Sequence, residues 1–557
     1  MTARAWLDNN ELCISVPYKD MAAVEEIEPV PSWDPARRAL VAAATQDNLG
    51  YLASLFPDIE LDPALAAMLG DSHGADPDGH WKTCDKADLP EVPGLPDGGW
   101  EHQRRAFWWA RNKVSAYWEI GMGGGKTAIT AAMIRHRGHR RVLIICPKKV
   151  VPHWPAQLAL YGVDDVNIAA ARDEPVAKRL ALAQWALSRE SGRAIVVLTY
   201  ASLLNAGIQK LLASGAFDLV VLDEAQNVKA HNGQISKALW RSLKKAKSPM
   251  HKLFLSGTSM PHSPGDIFAQ YRVLDESIFG TAFTRFRARY AVMHPVFPSV
   301  AEWVRQEEMA TKMAPLMFRV GREVLDLPPV QHIVKTVTLG PKARKLYKEM
   351  EQDFYAAVDE GEVTASNALV KLLRLQTLAA GHLRLDTGET VPVDKAKQEM
   401  LAEILDELPL REKVVVFCRF RDDLNNIRQI AADHGRRYGE VSGNRDDLVD
   451  SKFPGDVDVL GVQIQAGGAG VDLSAAAYCV YYTVGFSLGD YEQSLARTHR
   501  PGQQRSVSYL HIQAEDTVDS RVYAALSERK NVVESVLQRV SATHTPKTLA
   551  QPSAGIA

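Results

Sequence analysis

Two blocks of short, nearly unbroken apolar runs constrain this chain more than any other feature. The first block holds Val142–Cys146 (VLIIC), Ala194–Leu198 (AIVVL), Leu219–Leu222 (LVVL) and Lys252–Leu255 (KLFL). The second holds Lys413–Phe417 (KVVVF), Val457–Leu460 (VDVL) and Tyr478–Tyr482 (YCVYY). Helical stretches separate the runs. A strand wetted on one face alternates apolar and polar residues. A run that stays apolar is buried on both faces, as in parallel sheets covered by helices on each side. The pattern predicts an α/β chain with two such lobes.

The blocks suggest boundaries. Residues 98–275 form the first lobe and 396–540 the second, with a helical, basic insertion and interlobe linker at 276–395. Residues 1–70 read as a small α+β accessory module. In it Leu12–Val16 alternates like a strand, Pro29, Pro31 and Pro35 break the chain around Trp33, and Asn48–Phe56 reads as a helix. The stretch 71–97 is rich in Asp, Gly and Pro and reads as a linker, and the aperiodic 541–557 as a disordered tail.

The net charge of −2 is unevenly spread. Residues 1–97 carry 18 Asp/Glu against 6 Lys/Arg, a net of −12, and the remainder 49 against 59, a net of +10. A basic body behind an acidic head suits a polyanion on the body. The five cysteines form no CxxC, so neither a zinc finger nor a disulfide framework is indicated, and their sparseness fits a reducing compartment. No apolar run approaches the roughly 18–20 residues of a membrane span, and the N-terminus has no signal-peptide pattern. A cytoplasmic protein without a membrane partner is expected.

Ile120-Gly-Met-Gly-Gly-Gly-Lys-Thr127 leads from an apolar stretch into a helical one. Gly123, Gly124 and Gly125, after Met122, allow backbone N–H groups to turn onto phosphate oxygens, and a helix N-terminus favours the same anion. Lys126 is then the ligand of the β- and γ-phosphates of ATP and Thr127 a ligand of Mg²⁺. Asp223-Glu224 closes the run Leu219–Leu222, where a carboxylate pair wants a cation or a proton. Asp223 is assigned to Mg²⁺ and Glu224 to the general base that activates water. Gln103, before an aromatic helix, has the donor and acceptor needed for an adenine edge.

In the second block, Gln493, Arg497 and Arg500 are spaced four and three apart, predicting one helical face. Arginines there, with no acidic partner at helical spacing, suit a γ-phosphate met on lobe closure. The turn Gln465-Ala-Gly-Gly-Ala-Gly-Val-Asp-Leu473 permits close backbone approach to a ligand. Gln465 and Gly467 are placed on a DNA backbone, Gly470 and Asp472 on the nucleotide side; a purely structural turn is the alternative.

Taken together, Met122–Thr127, Cys146-Pro147 with Trp154, Thr199-Tyr200, Asp223–Gln226, Ser256-Gly-Thr258, Val416–Cys418, Gln465–Leu473, Gln493–Gln503, Leu327–Pro329 and Arg374–Gln376 resemble the Swi/Snf branch of the superfamily-two helicases. The resemblance covers about residues 98–540. It implies two RecA-like lobes and ATP hydrolysis coupled to movement on duplex or forked DNA without sequence preference. It implies that Ser256 and Thr258 couple hydrolysis to lobe movement, and that Lys148, Lys149 and Thr199 lie near DNA phosphates. The basic interlobe residues, Arg319 among them, are further DNA candidates.

Several positions depart from the family pattern. Ile120 and Gly121 replace acidic residues, Gln226 replaces a usual His, and Gln465 replaces a basic residue. The compact form looks most like versions from bacteria and their phages. Val16-Pro-Tyr18 with Trp33-Asp34 resembles the HARP-type domain of strand-annealing relatives; an unrelated protein-docking module is the alternative, favoured by its acidity. A monomeric motor is expected. The competing functions are a strand-separating helicase, the motor subunit of a restriction system and an inactive nucleotide-binding scaffold.

Overall fold

The computed structural model describes residues 89–542 apart from 247, 249, 294–299, 322–323, 326, 360–364, 386–388 and 466–470. Before residue 89 it describes 3–8, 11–17, 21–24, 31–43, 49, 52, 56, 59–62 and 65. The chain forms two compact units. One runs to Val324 and takes in the chain from Val533; the other is Leu325–Val532.

The first unit begins with a five-stranded sheet in the order β3-β4-β2-β1-β5, made of β1 (Arg4–Asp8), β2 (Glu11–Ser15), β3 (Ser32–Asp34), β4 (Ala39–Ala43) and β5 (Glu60–Leu61). Only β5 pairs in parallel. Of the helix expected at 48–56, only Leu49, Leu52 and Phe56 are among the described residues, and most of the linker and tail also lies outside them.

The main sheet of this unit comprises β6 (Ser115–Ile120), β7 (Arg141–Cys146), β8 (Val166–Ala170), β9 (Arg193–Thr199), β10 (Leu219–Asp223), β11 (His251–Ser256) and, after the small antiparallel pair β12 (Ala291–Met293) and β13 (Val300–Trp303), β14 (Met317–Val320). Its order is β14-β6-β11-β10-β7-β9-β8, and every pairing is parallel. Leu143, Ile145, Val220 and Leu222 pack into one apolar layer, while Val142, Ile144, Leu219 and Val221 pack into the other. Successive side chains point to opposite faces, so the unbroken runs are what a doubly covered sheet requires.

The second unit repeats the plan. β15 (Val330–Val337) is followed by the hairpin β16 (His382–Arg384) and β17 (Thr390–Pro392), then β18 (Val414–Cys418), β19 (Tyr438–Val441), β20 (Val459–Gln463), β21 (Tyr478–Tyr481) and β22 (Val507–Ala514). The all-parallel order is β15-β22-β21-β18-β20-β19. The expected two-lobed α/β architecture is present. The segment 276–395 is richer than a helical insertion: beside its helices it contributes β14 and β15 to the edges of the two main sheets. The residues of β15 are mostly exposed, so no apolar run marks it in the sequence.

Candidate ATP site

The phosphate loop joins β6 to the helix Lys126–His136. Gly123 and Gly125 have φ of +85° and +80°, which glycine alone adopts freely. A Cβ at Gly124 would lie 2.4 Å from Ile120 Cγ2, and one at Gly125 would lie 2.1 Å from Gln103 Nε2. Glycine is thus favoured by conformation at both ends of the triplet and by space at its second and third positions. Lys126 Nζ donates to the Ile120 carbonyl at 2.8 Å, and Thr127 follows in the first helical turn. Met122 packs under the next loop, 3.4 Å from where a Cβ on Gly257 would stand.

The helix Glu101–Ala110 buttresses this loop. Gln103 accepts from the Trp100 N–H at 3.0 Å and donates to the Gly124 carbonyl at 3.3 Å. His102 Nε2 lies 2.8 Å from the same carbonyl and, facing an oxygen that only accepts, must be the donor. Burial lowers the His102 pKa, favouring the neutral ring. Gln103 therefore holds the loop as well as standing at its edge. His102 escaped the sequence reading, because a histidine at a helix start carries no pattern.

Asp223 ends β10, and its buried carboxyl is pushed up to about 7. Burial is the main cause and the neighbouring Glu224 charge the next; Lys126 and a hydrogen bond from Trp154 oppose them. Glu224 follows in a left-handed conformation, φ 55° and ψ 56°, at the start of the turn Ala225–Val228. Its Oε2 accepts from Gln226 Nε2 at 2.6 Å, and Gln226 Oε1 accepts from Ser256 Oγ at 2.8 Å. Ser256 Oγ in turn accepts from the Thr258 N–H at 2.9 Å. A continuous hydrogen-bonded line thus joins Glu224 to the loop after β11. Gln226, where the family usually has His, supplies both the donor and the acceptor this line needs. Tyr200 adds a hydrogen bond from its hydroxyl to the Asp223 carbonyl at 2.8 Å.

Below this loop, Glu119 is buried on β6. It accepts from the Ser259 N–H at 3.2 Å and pairs with Arg319 Nε on β14 at 3.3 Å. Arg319 is thus engaged inside the first unit. Nothing in a 200-residue separation could have marked this pair.

The donor set fits ATP with Mg²⁺. Among the described residues no group of three His, Cys, Asp or Glu converges. Asp223 and the Thr127 hydroxyl would be the oxygen ligands offered to a divalent ion, a set that suits Mg²⁺. A raised Asp223 beside Glu224 is what a cation relieves.

In the second unit, Gln493 and Arg497 lie on the helix Leu488–Thr498, Arg497 buried and Gln493 half-buried. Arg500 corrects the expectation of one helical face. The helix closes at Thr498, and Arg500 precedes Pro501, which disfavours the helical conformation at the residue before it. Arg500 instead donates to the Val471 carbonyl at 2.9 Å and has Asp472 Oδ1 3.9 Å away, an acidic neighbour not evident from helical spacing. Asp472 Oδ1 accepts from the Ser474 backbone at 3.0 Å and hydroxyl at 2.7 Å. The Arg497 carbonyl accepts from the Leu473 N–H. Val471, Asp472 and Leu473 and the arginine segment are therefore one assembly. Gly467 and Gly470 lie outside the described residues; Gln465 is exposed just after β20.

Of the DNA candidates, Lys148 is exposed beyond β7 and paired with Asp173, and Lys149 is its neighbour. Thr199 is buried at the end of β9, its hydroxyl 3.1 Å from Ser202 Oγ.

Residues 104–382 match the SNF2-related domain and residues 396–502 the helicase conserved C-terminal domain. The first match alone covers 279 of the 557 residues. The chain is 23% identical over 459 residues to an uncharacterized ATP-dependent helicase of Mycoplasma pneumoniae, covering 78% of this chain and 42% of that protein. It is 25% identical over 451 residues to the DNA annealing helicase and endonuclease ZRANB3 of Mus musculus, covering 77% and 40%. A Caenorhabditis elegans homolog of the SWI/SNF-related matrix-associated actin-dependent regulator of chromatin subfamily A-like protein 1 is 23% identical over 545 residues, covering 92% and 73%. The chain spans less than half the length of the first two. With the first match over half its length and the second over the following lobe, the chain belongs to the SNF2-related family of helicase-like proteins.

Proposed function

We propose that this protein is a motor that couples ATP hydrolysis to movement along duplex or forked DNA, without sequence preference, and so remodels forks, re-anneals strands or displaces bound proteins. The observation that carries the reading is the line Glu224–Gln226–Ser256–Thr258. It gives the residue assigned to activate water a hydrogen-bonded connection to the loop after β11. A nucleotide-binding scaffold has no use for such a connection.

In this reading Lys126 and the amides of the glycine loop bind the β- and γ-phosphates, and Gln103 faces the adenine. Asp223 and Thr127 hold Mg²⁺, which supplies charge neutralisation at the phosphates. Glu224 takes the proton of the attacking water. Arg497 and Arg500, with Gln493, meet the charge that develops on the γ-phosphate, and Asp472 orients Arg500. Ser256 and Thr258 pass the change onward. Lys148, Lys149, Thr199, Gln465 and Gly467 contact DNA phosphates, where cations dominate affinity. The acidic N-terminal module is suited to a protein partner.

The deciding experiment is the ATPase rate titrated with duplex, forked and single-stranded DNA and with RNA. Duplex should raise the rate several-fold, and Lys126→Ala or Glu224→Gln should lower it by about 10²-fold or more. A rate indifferent to every nucleic acid rejects the motor. Efficient separation of a plain duplex would instead favour a strand-separating helicase.

A further inference from the structure

Three neighbouring strands of the first unit, β7, β9 and β8, end side by side, and one salt-bridged group ties the ends of β7 and β8 together. Asp173, just after β8, has its Oδ1 2.5 Å from Lys148 Nζ beyond β7 and its Oδ2 3.1 Å from Arg172 Nε. Lys148 holds the Asp173 carboxyl below the usual carboxylate range. All three side chains are exposed. Arg179 does different work. Its Nε donates to the Glu174 carbonyl at 2.7 Å and its Nη2 to the Arg172 carbonyl at 3.3 Å. Its Nη1 donates to Thr199 Oγ1 at 3.2 Å and Ser202 Oγ at 2.9 Å.

This division of labour is informative. Arg179 already staples the loop after β8 to the end of β9, so the loop does not need Asp173 to hold it. An exposed ion pair adds little stability, about 0–1 kcal/mol in general. What Asp173 does is occupy two cations at the carboxyl ends of parallel strands, the edge where ligands of open α/β sheets bind. A carboxylate and a phosphodiester each carry one negative charge and present two oxygens, so Lys148 and Arg172 would serve either.

We propose that Asp173 is an internal stand-in for a DNA phosphate: it neutralises Lys148 and Arg172 in the free protein and is exchanged for a backbone phosphate when duplex DNA binds. This adds Arg172 to the DNA-contacting face and makes Asp173 a built-in competitor that lowers affinity. The inference rests on the reading of the protein as a DNA motor.

The test is duplex binding by fluorescence anisotropy across a salt series, with the full chain and four variants. Glu190→Gln is the control. It makes the same charge change at an exposed position before β9, at the opposite end of that strand from Thr199. Asp173→Asn should bind about two- to fivefold more tightly than Glu190→Gln, and its log–log salt slope should steepen by about one. Arg172→Ala should bind more weakly than wild type, and Arg172→Ala in the Asp173→Asn background should cancel the gain. If Asp173→Asn matches Glu190→Gln in affinity and slope while wild type binds duplex, the stand-in is rejected and the motor reading survives. If wild type binds no duplex at any salt, the DNA reading itself fails.

Discussion

Trp154 donates its indole N–H to Asp223 Oδ2 at 3.2 Å, from a helix that begins one residue earlier at His153. This bond favours the charged carboxylate, against a burial that disfavours it. Burial outweighs that bond and pushes the Asp223 carboxyl up to about 7, whereas in the unfolded chain it titrates near its ordinary value of 3.8. Between those values the folded state binds more protons, so this residue's contribution to stability falls as pH rises from about 4 to about 7 and is flat above. Asp223→Asn should raise the melting temperature of the Mg²⁺-free protein at pH 8 and leave it nearly unchanged at pH 4. Equal shifts at both pH values in scanning fluorimetry would contradict the assignment. Trp154→Phe should weaken Mg²⁺-ATP binding most near pH 7, with recovery at pH 8.5, by calorimetric titration.

Ser256 is fully buried and stands in the middle of the line from Glu224. Ser256→Ala leaves Gln226 Oε1 and the Thr258 N–H without their partner, which costs about 1–3 kcal/mol in a buried site. The urea midpoint should fall accordingly. Basal ATP hydrolysis should persist, while triplex displacement per ATP consumed drops at least fivefold. A variant that translocates normally per ATP would show that the line carries no coupling.

Gly125 faces two separate penalties on substitution, its φ of +80° and the 2.1 Å approach to Gln103 Nε2. Gly125→Ala should raise the KM for ATP about tenfold or more. Even where the Gln103 amide swings aside, the backbone strain of about 1–3 kcal/mol remains, and Gln103→Ala should not rescue the variant, because it also removes the bond to the Gly124 carbonyl. A wild-type KM in Gly125→Ala alone would rule out this account of the loop.

Arg319 and Glu119 form a pair in which both side chains are largely buried. Removing one partner strands a charge, at about 3–5 kcal/mol. Arg319→Met should therefore lower the unfolding midpoint strongly, and Arg319→Met with Glu119→Gln should regain most of it. Additive losses in the two single variants and the double would mean the residues do not act as a pair.

How much of this was readable in the sequence follows from burial. β7, β9, β10 and β11 announced themselves because both their faces are covered, and with β10 came Asp223-Glu224 at a strand end. β8 and β14 at the sheet edges, and β15 with its exposed side chains, lack that unbroken apolar run. The phosphate loop was legible because glycines and a Lys-Thr pair are contiguous. The partners that tune the site were not: Trp154 stood among the family-like motifs but without its bond to Asp223, and His102 and the Glu119–Arg319 pair act through folding, across separations that no local pattern spans. Arg500 shows the reverse error. Helical spacing was extended past Thr498, where the helix ends, to a residue whose proline neighbour disfavours it.

The left-handed backbone of Glu224 sets catalysis and fold economy in opposition. An L-residue with a long side chain resists that conformation, and glycine accepts it freely. If Glu224 is the proposed base, the local backbone would be easiest to build with glycine where a carboxylate has to stand. Selection for a sturdier lobe and selection for a working base therefore point to different amino acids at position 224. A chain released from the need to hydrolyse ATP would be expected to drift there first, toward glycine or asparagine, while keeping its fold and its phosphate loop.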